Sequence, residues 1–274
     1  MAASGWDFFR LRVARAVPLG ASTIRITFTG PRIDDFRSGG RDQRFKLFLP
    51  QPGELDPLVP TGAGSEWFAA WRTLDPARRG IMRSYTVGAR RPGVLDVDFA
   101  VHGGTGPAGR WAAAARPGDR ALALGPTDPD NAGVDFRPPP GTDAVLLAGD
   151  LTALPAIAAI LETLDPGLPV RAFVEVPDRA DRRALPSGST DAQVHWVTPG
   201  GLPDALARCP LPGSTPYAWI AGEAGGVRAL RRHLVHGRGF PRAAVTFTGY
   251  WRLGATEEQL VAEAVAIPPQ PAGR

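Results

Sequence analysis

Two short segments in the first half of this 274-residue chain have side chains whose types and spacing suit a phosphorylated ligand. In Arg83-Ser84-Tyr85-Thr86, the arginine guanidinium offers paired donors to a phosphate. Residues alternate faces along a strand, so Arg83 and Tyr85 share one side and set an aromatic surface beside a phosphate clamp. A nucleotide with a flat ring system needs that pairing. The second segment runs from Val101-His102 through Gly103, Gly104 and Thr105 to Gly106-Pro107-Ala108-Gly109-Arg110-Trp111. Pro107 sits where a helix would begin, and the backbone N–H groups of such a start can hold a pyrophosphate. Alone, each segment also fits a blander account, a buried tyrosine beside a surface arginine or a proline-capped turn. A third signal is Lys46, the only lysine of the chain, where every other basic residue is arginine. A compact, mobile ammonium at one place suits a need that a rigid guanidinium does not meet.

Composition narrows the chemistry. With one cysteine, Cys209, the chain can form no internal disulfide and no multi-cysteine iron–sulfur cluster; with four histidines, no metal site is expected. Any redox chemistry must then rest on an organic cofactor. The first 126 residues hold 18 basic against 11 acidic side chains and the remainder 13 against 16, so the N-terminal half is the one suited to an anionic ligand. The arginines are dispersed and no nucleic-acid module is visible, so no nucleic-acid partner is expected. Charged residues interrupt the opening segment, and no long uncharged apolar run follows. A cytoplasmic protein without membrane insertion is expected, as a monomer.

These residues must be positioned by two kinds of element. Short apolar or alternating runs at Phe8–Val13, Ser22–Phe28, Phe45–Leu49, Ser84–Ala89, Val94–Val101 and Ala121–Leu124 predict a six-stranded antiparallel β-barrel. Residues 50–80 read as a surface excursion with a short helix near Glu66–Thr73. After the Pro138-Pro139-Pro140-Gly141 hinge, strands at Ala144–Ala148, Val170–Val176, Val194–Val197, Tyr217–Ala221 and Val245–Tyr250 alternate with helices, among them Thr152–Leu164 and Gly226–Leu234. That rhythm predicts a parallel, doubly wound α/β domain. The expected division is a barrel over 1–137 and an α/β domain over 141–274.

Taken in order, Arg-x-Tyr-Thr at 83–86, Asp98-Phe99-Ala100-Val101-His102 and Gly-Pro-Ala-x-x-Trp at 106–111 are far more specific than any one of them. With Phe45-Lys46-Leu47-Phe48-Leu49-Pro50, Ala148-Gly149-Asp150-x-Thr152-Ala153-Leu154-Pro155, Tyr217-Ala218-Trp219-Ile220-Ala221-Gly222-Glu223 and Gly249-Tyr250-Trp251-Arg252, the chain resembles the siderophore-interacting protein family over nearly its whole length. These are FAD-dependent ferric-siderophore reductases of ferredoxin-reductase-like architecture. The resemblance implies that Arg83 and the Gly106, Pro107, Ala108, Gly109 turn hold the FAD phosphates, and that Ser84 also contacts the cofactor. Tyr85 lies along the isoalloxazine, and Thr86 nears its reactive edge. Backbone groups of Asp98, Phe99, Val101 and His102 support the flavin, with Trp111 packing nearby. Two positions depart from the family pattern: Gly109 stands where serine is usual, and Leu151 where glutamate is usual.

The second half is expected to take NADH or NADPH without a G-x-G-x-x-G fingerprint. Thr152 and Ala153 at a helix start and Glu223 are its expected contacts. Glu175 could bond an adenosine ribose, or Arg179, Arg182 and Arg183 could take a 2′-phosphate, and the choice of donor stays open. Lys46, with Arg252 and Arg44, is expected to attract an anionic ferric siderophore. Reduction would then release Fe(II). Two other readings remain: a general flavin reductase or electron-transfer component, and a siderophore carrier without turnover.

Overall fold

The structure is a computed structural model that describes residues 5–101, 106–211 and 213–255, together with residues 259 and 263. Seven antiparallel strands form the first sheet: β1 (Trp6–Pro18), β2 (Thr23–Thr29), β3 (Arg44–Leu49), β4 (Ile81–Thr86), β5 (Ala89–Arg91), β6 (Val94–Ala100) and β7 (Arg120–Pro126), in the order β4-β3-β7-β1-β2-β6-β5. Along β1, Phe9, Leu11 and Val13 point inward and Arg10 and Arg12 outward, so the two-residue period of the sequence selects the face directly. The sheet curls around a core that includes Phe28, Phe45 and Leu47, and helix α2 (Pro107–Ala114) plugs it with Ala108 and Ala112.

The expected fourth strand, Ser84–Ala89, is two strands. At Val87 the N–H still donates to Gln43 O on the β3 side, but at Gly88 it donates to Asp96 O on the β6 side. The chain changes partners there, and a Cβ on Gly88 would meet the Asp96 carbonyl at 3.0 Å. Seven strands therefore stand where six were expected.

Residues 50–80 are more than an excursion. Their helix α1 (Trp67–Thr73) lays Trp67 and Trp71 on Phe8, Phe48 and Met82 on the outer face of the curled sheet, and Trp71 Nε1 donates to Gly80 O at 3.1 Å. This satellite core explains why β3 is apolar on both faces.

The second sheet is five parallel strands in the order β10-β9-β8-β11-β12: β8 (Ala144–Asp150), β9 (Val170–Glu175), β10 (Ala192–Val197), β11 (Pro216–Glu223) and β12 (Val245–Trp251). Helix α3 (Leu154–Glu162), preceded by a 3₁₀ turn at Leu151–Ala153, packs on one face; α4 (Leu202–Arg208) and α5 (Ala224–Arg232) pack on the other. β8 carries an unbroken apolar run because it is covered on both sides. The connection from β9 to β10 has no α-helix, only a 3₁₀ turn at Arg179–Asp181.

Asp42 ties the two sheets together. Its buried carboxylate accepts the N–H groups of Asp135 and Phe136 in the linker and, at 2.9 Å, Trp219 Nε1 from β11. The segment just before Pro138 is thus held rather than loose.

Candidate functional site

A parallel doubly wound sheet binds ligands at the carboxyl ends of its strands, where strand order reverses. Here that point lies between β8 and β11, and Asp150 occupies it. Its Oδ1 accepts the N–H of Thr152 at 2.9 Å and the Thr152 hydroxyl at 2.5 Å; its Oδ2 accepts the N–H of Glu223 and the indole N–H of Trp251, both at 2.8 Å. One carboxylate thereby fixes the ends of β8, β11 and β12. Gly222, at φ 140°, permits the approach: a Cβ there would lie 2.5 Å from Asp150 Oδ2.

Across from this point lies the end of β4. Between them is a cleft of about 220 Å³ with Arg83, Ser84, Tyr85 and Thr86 on the curled-sheet side and Leu151, Thr152 and Trp251 on the other. Tyr85 packs on Phe99 with ring centroids 4.4 Å apart, and Arg83 Nη1 is steadied by Met82 O at 2.7 Å. Thr86 is buried beside Tyr250. Burial pushes the Tyr250 phenol well above its usual range; its oxygen nears Thr86 without a well-formed hydrogen bond.

Asp98 also lines the cleft, and its side chain is 2% exposed. Arg25 grips it twice, from Nε at 2.7 Å and Nη2 at 3.0 Å, while Arg183 Nη2 reaches it at 2.9 Å from the other domain. The Arg25 guanidinium is raised above its ordinary value by its hydrogen bonds to Asp98, whereas burial lowers that of Arg183. Of the arginines that could take a 2′-phosphate, Arg183 is thus committed to Asp98, and Arg182 has its Nε buried without a partner.

Several other expected contacts are engaged locally. The Glu175 carboxylate accepts the N–H of Gly200 at 2.9 Å, and burial raises its pKa. Glu223 caps α5 through the N–H of Gly226 at 2.8 Å; against the cost of burial, the N–H groups of Gly226, Leu253 and Gly225 hold its carboxyl below the usual range. Ala153 and Phe99 are fully buried, so their side chains belong to the cores. Trp111 stacks on Phe28 at 6.3 Å inside the curled sheet, and Val101 N–H donates to Ser22 O. His102 lies outside the described residues.

Lys46 stands opposite Ser84 across the β3–β4 pair, and its Nζ donates at 2.7 Å to Oγ of Ser84, which lines the cleft. Arg44 is paired with Asp135 at 2.7 Å, and Arg252 with Glu263 at 2.7 Å. Both arginines expected to attract the siderophore are thus held by carboxylates, Asp135 from the linker and Glu263 from the residues after β12.

The residues present fit a dinucleotide. Helix geometry leaves the N–H groups of Ala108 and Gly109 without intrahelical acceptors, at a terminus suited to phosphate. Gly106 has open space about it. Three cleft-lining side chains, Thr23, Arg44 and Tyr250, bury polar atoms that find no partner in the protein. Among the described residues no His, Cys, Asp and Glu cluster could hold a metal ion. No helix among them is long and apolar enough to cross a membrane.

Residues 12–130 match the model of the siderophore-interacting FAD-binding domain, and residues 142–254 that of the siderophore-interacting protein. The chain belongs to the siderophore-interacting protein family. Its FAD-binding domain is the curled sheet, and its architecture is ferredoxin-reductase-like. The family chain is 30% identical over 245 residues to the ferric vibriobactin reductase ViuB of Vibrio cholerae, covering 86% of each protein. It is 29% identical to the NADPH-dependent ferric-chelate reductase of Escherichia coli, covering 89% of this chain and 92% of that one. The crystal structure of the siderophore-interacting protein SipS from Aeromonas hydrophila superposes with a TM-score of 0.76 at 30% identity, covering 95% of this chain and 97% of the other.

Sequence reasoning placed the Arg83–Thr86 segment and the Asp150 turn, and the structure brings both to one cleft. It missed Asp42 and the Arg25–Asp98–Arg183 group. Asp42 has no motif around it, and the partners of Asp98 are 73 and 85 residues away along the chain.

Proposed function

We propose that this protein reduces ferric siderophores, moving electrons from NADH or NADPH through FAD and releasing iron as Fe(II). The observation that carries the reading is the interdomain cleft, where an Arg-x-Tyr-Thr strand end faces the switch point of a doubly wound sheet. FAD, when bound, accepts two electrons as hydride and delivers them singly, so one nicotinamide donor reduces two ferric complexes. The chain's own part is positional. Arg83 and the α2 terminus meet phosphate, Tyr85 offers an apolar ring face backed by Phe99, and Asp150 holds the opposite wall in register. A ring system held against Tyr85 in this cleft would be shielded from water by both domains.

No acid or base is needed at the iron. Fe(III) holds hard oxygen ligands more tightly than Fe(II), so reduction itself loosens the complex. Lys46, bonded to the cleft-lining Ser84, favours an anionic siderophore as substrate, whereas Arg44 and Arg252 are held by carboxylates. We place the reaction in the cytoplasm, carried out by a monomer.

The test is appearance of Fe(II) in a ferrous chelator when protein, FAD, NADH or NADPH and a ferric siderophore are combined anaerobically. Fe(II) release that requires all four supports the reading. A rate equal to that of free FAD with the same donor overturns it.

A further inference from the structure

The β9–β10 connection, in which a doubly wound sheet would ordinarily place a helix, is instead a strap that leaves its own domain. Asp178 caps the 3₁₀ turn at Arg179–Asp181 through the N–H of Ala180, so the strap keeps a fixed shape. Asp181 is buried, and its Oδ1 accepts the N–H of Ser22 at 2.7 Å, just before β2 of the FAD-binding domain. Two residues on, Arg183 reaches Asp98 at 2.9 Å on β6. Gly20 completes the fit. A Cβ there would lie 2.5 Å from Asp181 Oδ1 and 2.8 Å from Ala180 O.

The energetics point to geometry rather than to stability. A buried ion pair roughly repays its own desolvation, so Arg183 on an Asp98 already gripped twice by Arg25 adds little net free energy. The contact also leaves Asp181 Oδ2 and Arg182 Nε buried without partners, which costs the fold. What it fixes is direction: Ser22 and Thr23 lead β2, Thr23 pairs with Ala100, and Val101 N–H bonds Ser22 O at the start of the segment leading to α2. The strap therefore grips the FAD-binding domain beside the cleft.

We propose that Arg183 is a positioning residue. With Asp181, it clasps the nicotinamide-binding domain to the FAD-binding domain and sets the distance across which the donor's hydride is transferred. The proposal rests on the reductase reading above, and misplacement of reacting groups by even 1 Å slows such steps strongly.

Three variants test it: Arg183→Gln, which removes the charge; Arg183→Lys, which keeps it; and Gly20→Ala, which wedges the same contact from the other domain. In rapid mixing without oxygen, Arg183→Gln and Gly20→Ala should slow bleaching of bound FAD by NADPH or NADH by roughly tenfold or more, with Arg183→Lys nearer the unaltered protein. The rate at which a ferric chelate reoxidises dithionite-reduced protein should change by less than about twofold, because the nicotinamide donor takes no part in that step. Hydrogen exchange should quicken at residues 20–23 and 179–183 and not in the sheet cores. Unchanged bleaching in both Arg183→Gln and Gly20→Ala overturns the proposal, as does a loss of FAD binding that matches the loss of bleaching. If no donor bleaches the unaltered protein, the reductase reading fails, and exchange at 20–23 and 179–183 alone decides whether the clasp exists.

Discussion

Gly109 is the position at which a single hydroxyl should tighten FAD binding. It is the third residue of α2, where the N–H groups have no intrahelical acceptor and the helix dipole favours a phosphate. A Cβ built there meets Ala100 O at 3.5 Å and Val101 Cα at 3.8 Å, both ordinary contacts, so Gly109→Ser needs no rearrangement. A hydrogen bond to a charged group contributes about 1.5–3 kcal/mol before water and rotamer costs, leaving a net of about 1–2 kcal/mol. That corresponds to a FAD dissociation constant lower by roughly 5- to 30-fold. Replacing glycine inside a helix should also favour the free protein by about 0.5 kcal/mol. Fluorescence titration separates the two effects. FAD should bind more tightly and riboflavin, which has no phosphate, should not. Equal gains for both ligands, or no gain for FAD, would refute the placement of the pyrophosphate at α2.

Three more outcomes follow from the geometry. Asp150→Ala leaves the N–H groups of Thr152, Glu223 and Trp251 without their acceptor and should cost about 3 kcal/mol, seen as a fall of roughly 10 °C in Tm; a fall under about 2 °C would show that Asp150 does not hold the switch point. Lys46→Ala should raise KM for an anionic ferric siderophore by roughly fivefold at low salt, fading as salt screens the charge, and leave a neutral ferric chelate unaffected. Equal effects on both chelates would remove Lys46 from substrate attraction. Glu175 titrates above its ordinary value in the folded chain because it is buried, so its charged form weakens the fold above that pKa, and the penalty disappears as pH falls through it. Glu175→Gln keeps an acceptor for Gly200 and should raise Tm slightly at neutral pH, by no more than about 2 °C given its partial exposure, with no gain near pH 4. A gain that persists in acid would contradict the assignment.

The sequence shows the second domain clearly because its strands are buried on both faces and stand as unbroken apolar runs, Ala144–Ala148 above all. The first sheet is legible through alternation, as in Phe9, Leu11 and Val13. It misleads at Gly88, where a three-residue strand is too short to show a period, and at residues 50–80, whose tryptophans cover the sheet's outer face. The Arg83–Thr86 segment was legible because neighbouring residues share one strand. The charges were harder. Arg44 and Arg183 look like available cations, yet Asp135 and Asp98 meet them through tertiary contacts that no local spacing encodes. The strap at 179–183 was hidden for the same reason: its arginines fit a 2′-phosphate site or a solvated loop, and neither reading places Ser22 and Asp98 beside it.

The central claim is tested most directly by the visible spectrum of the FAD-reconstituted protein under anaerobic conditions, first with NADH or NADPH and then with a ferric siderophore. The account predicts that a donor bleaches the flavin and that the siderophore restores its colour, with two Fe(II) trapped per donor consumed. A bound flavin that neither donor bleaches, or a bleached flavin that the ferric siderophore does not reoxidise, would contradict it.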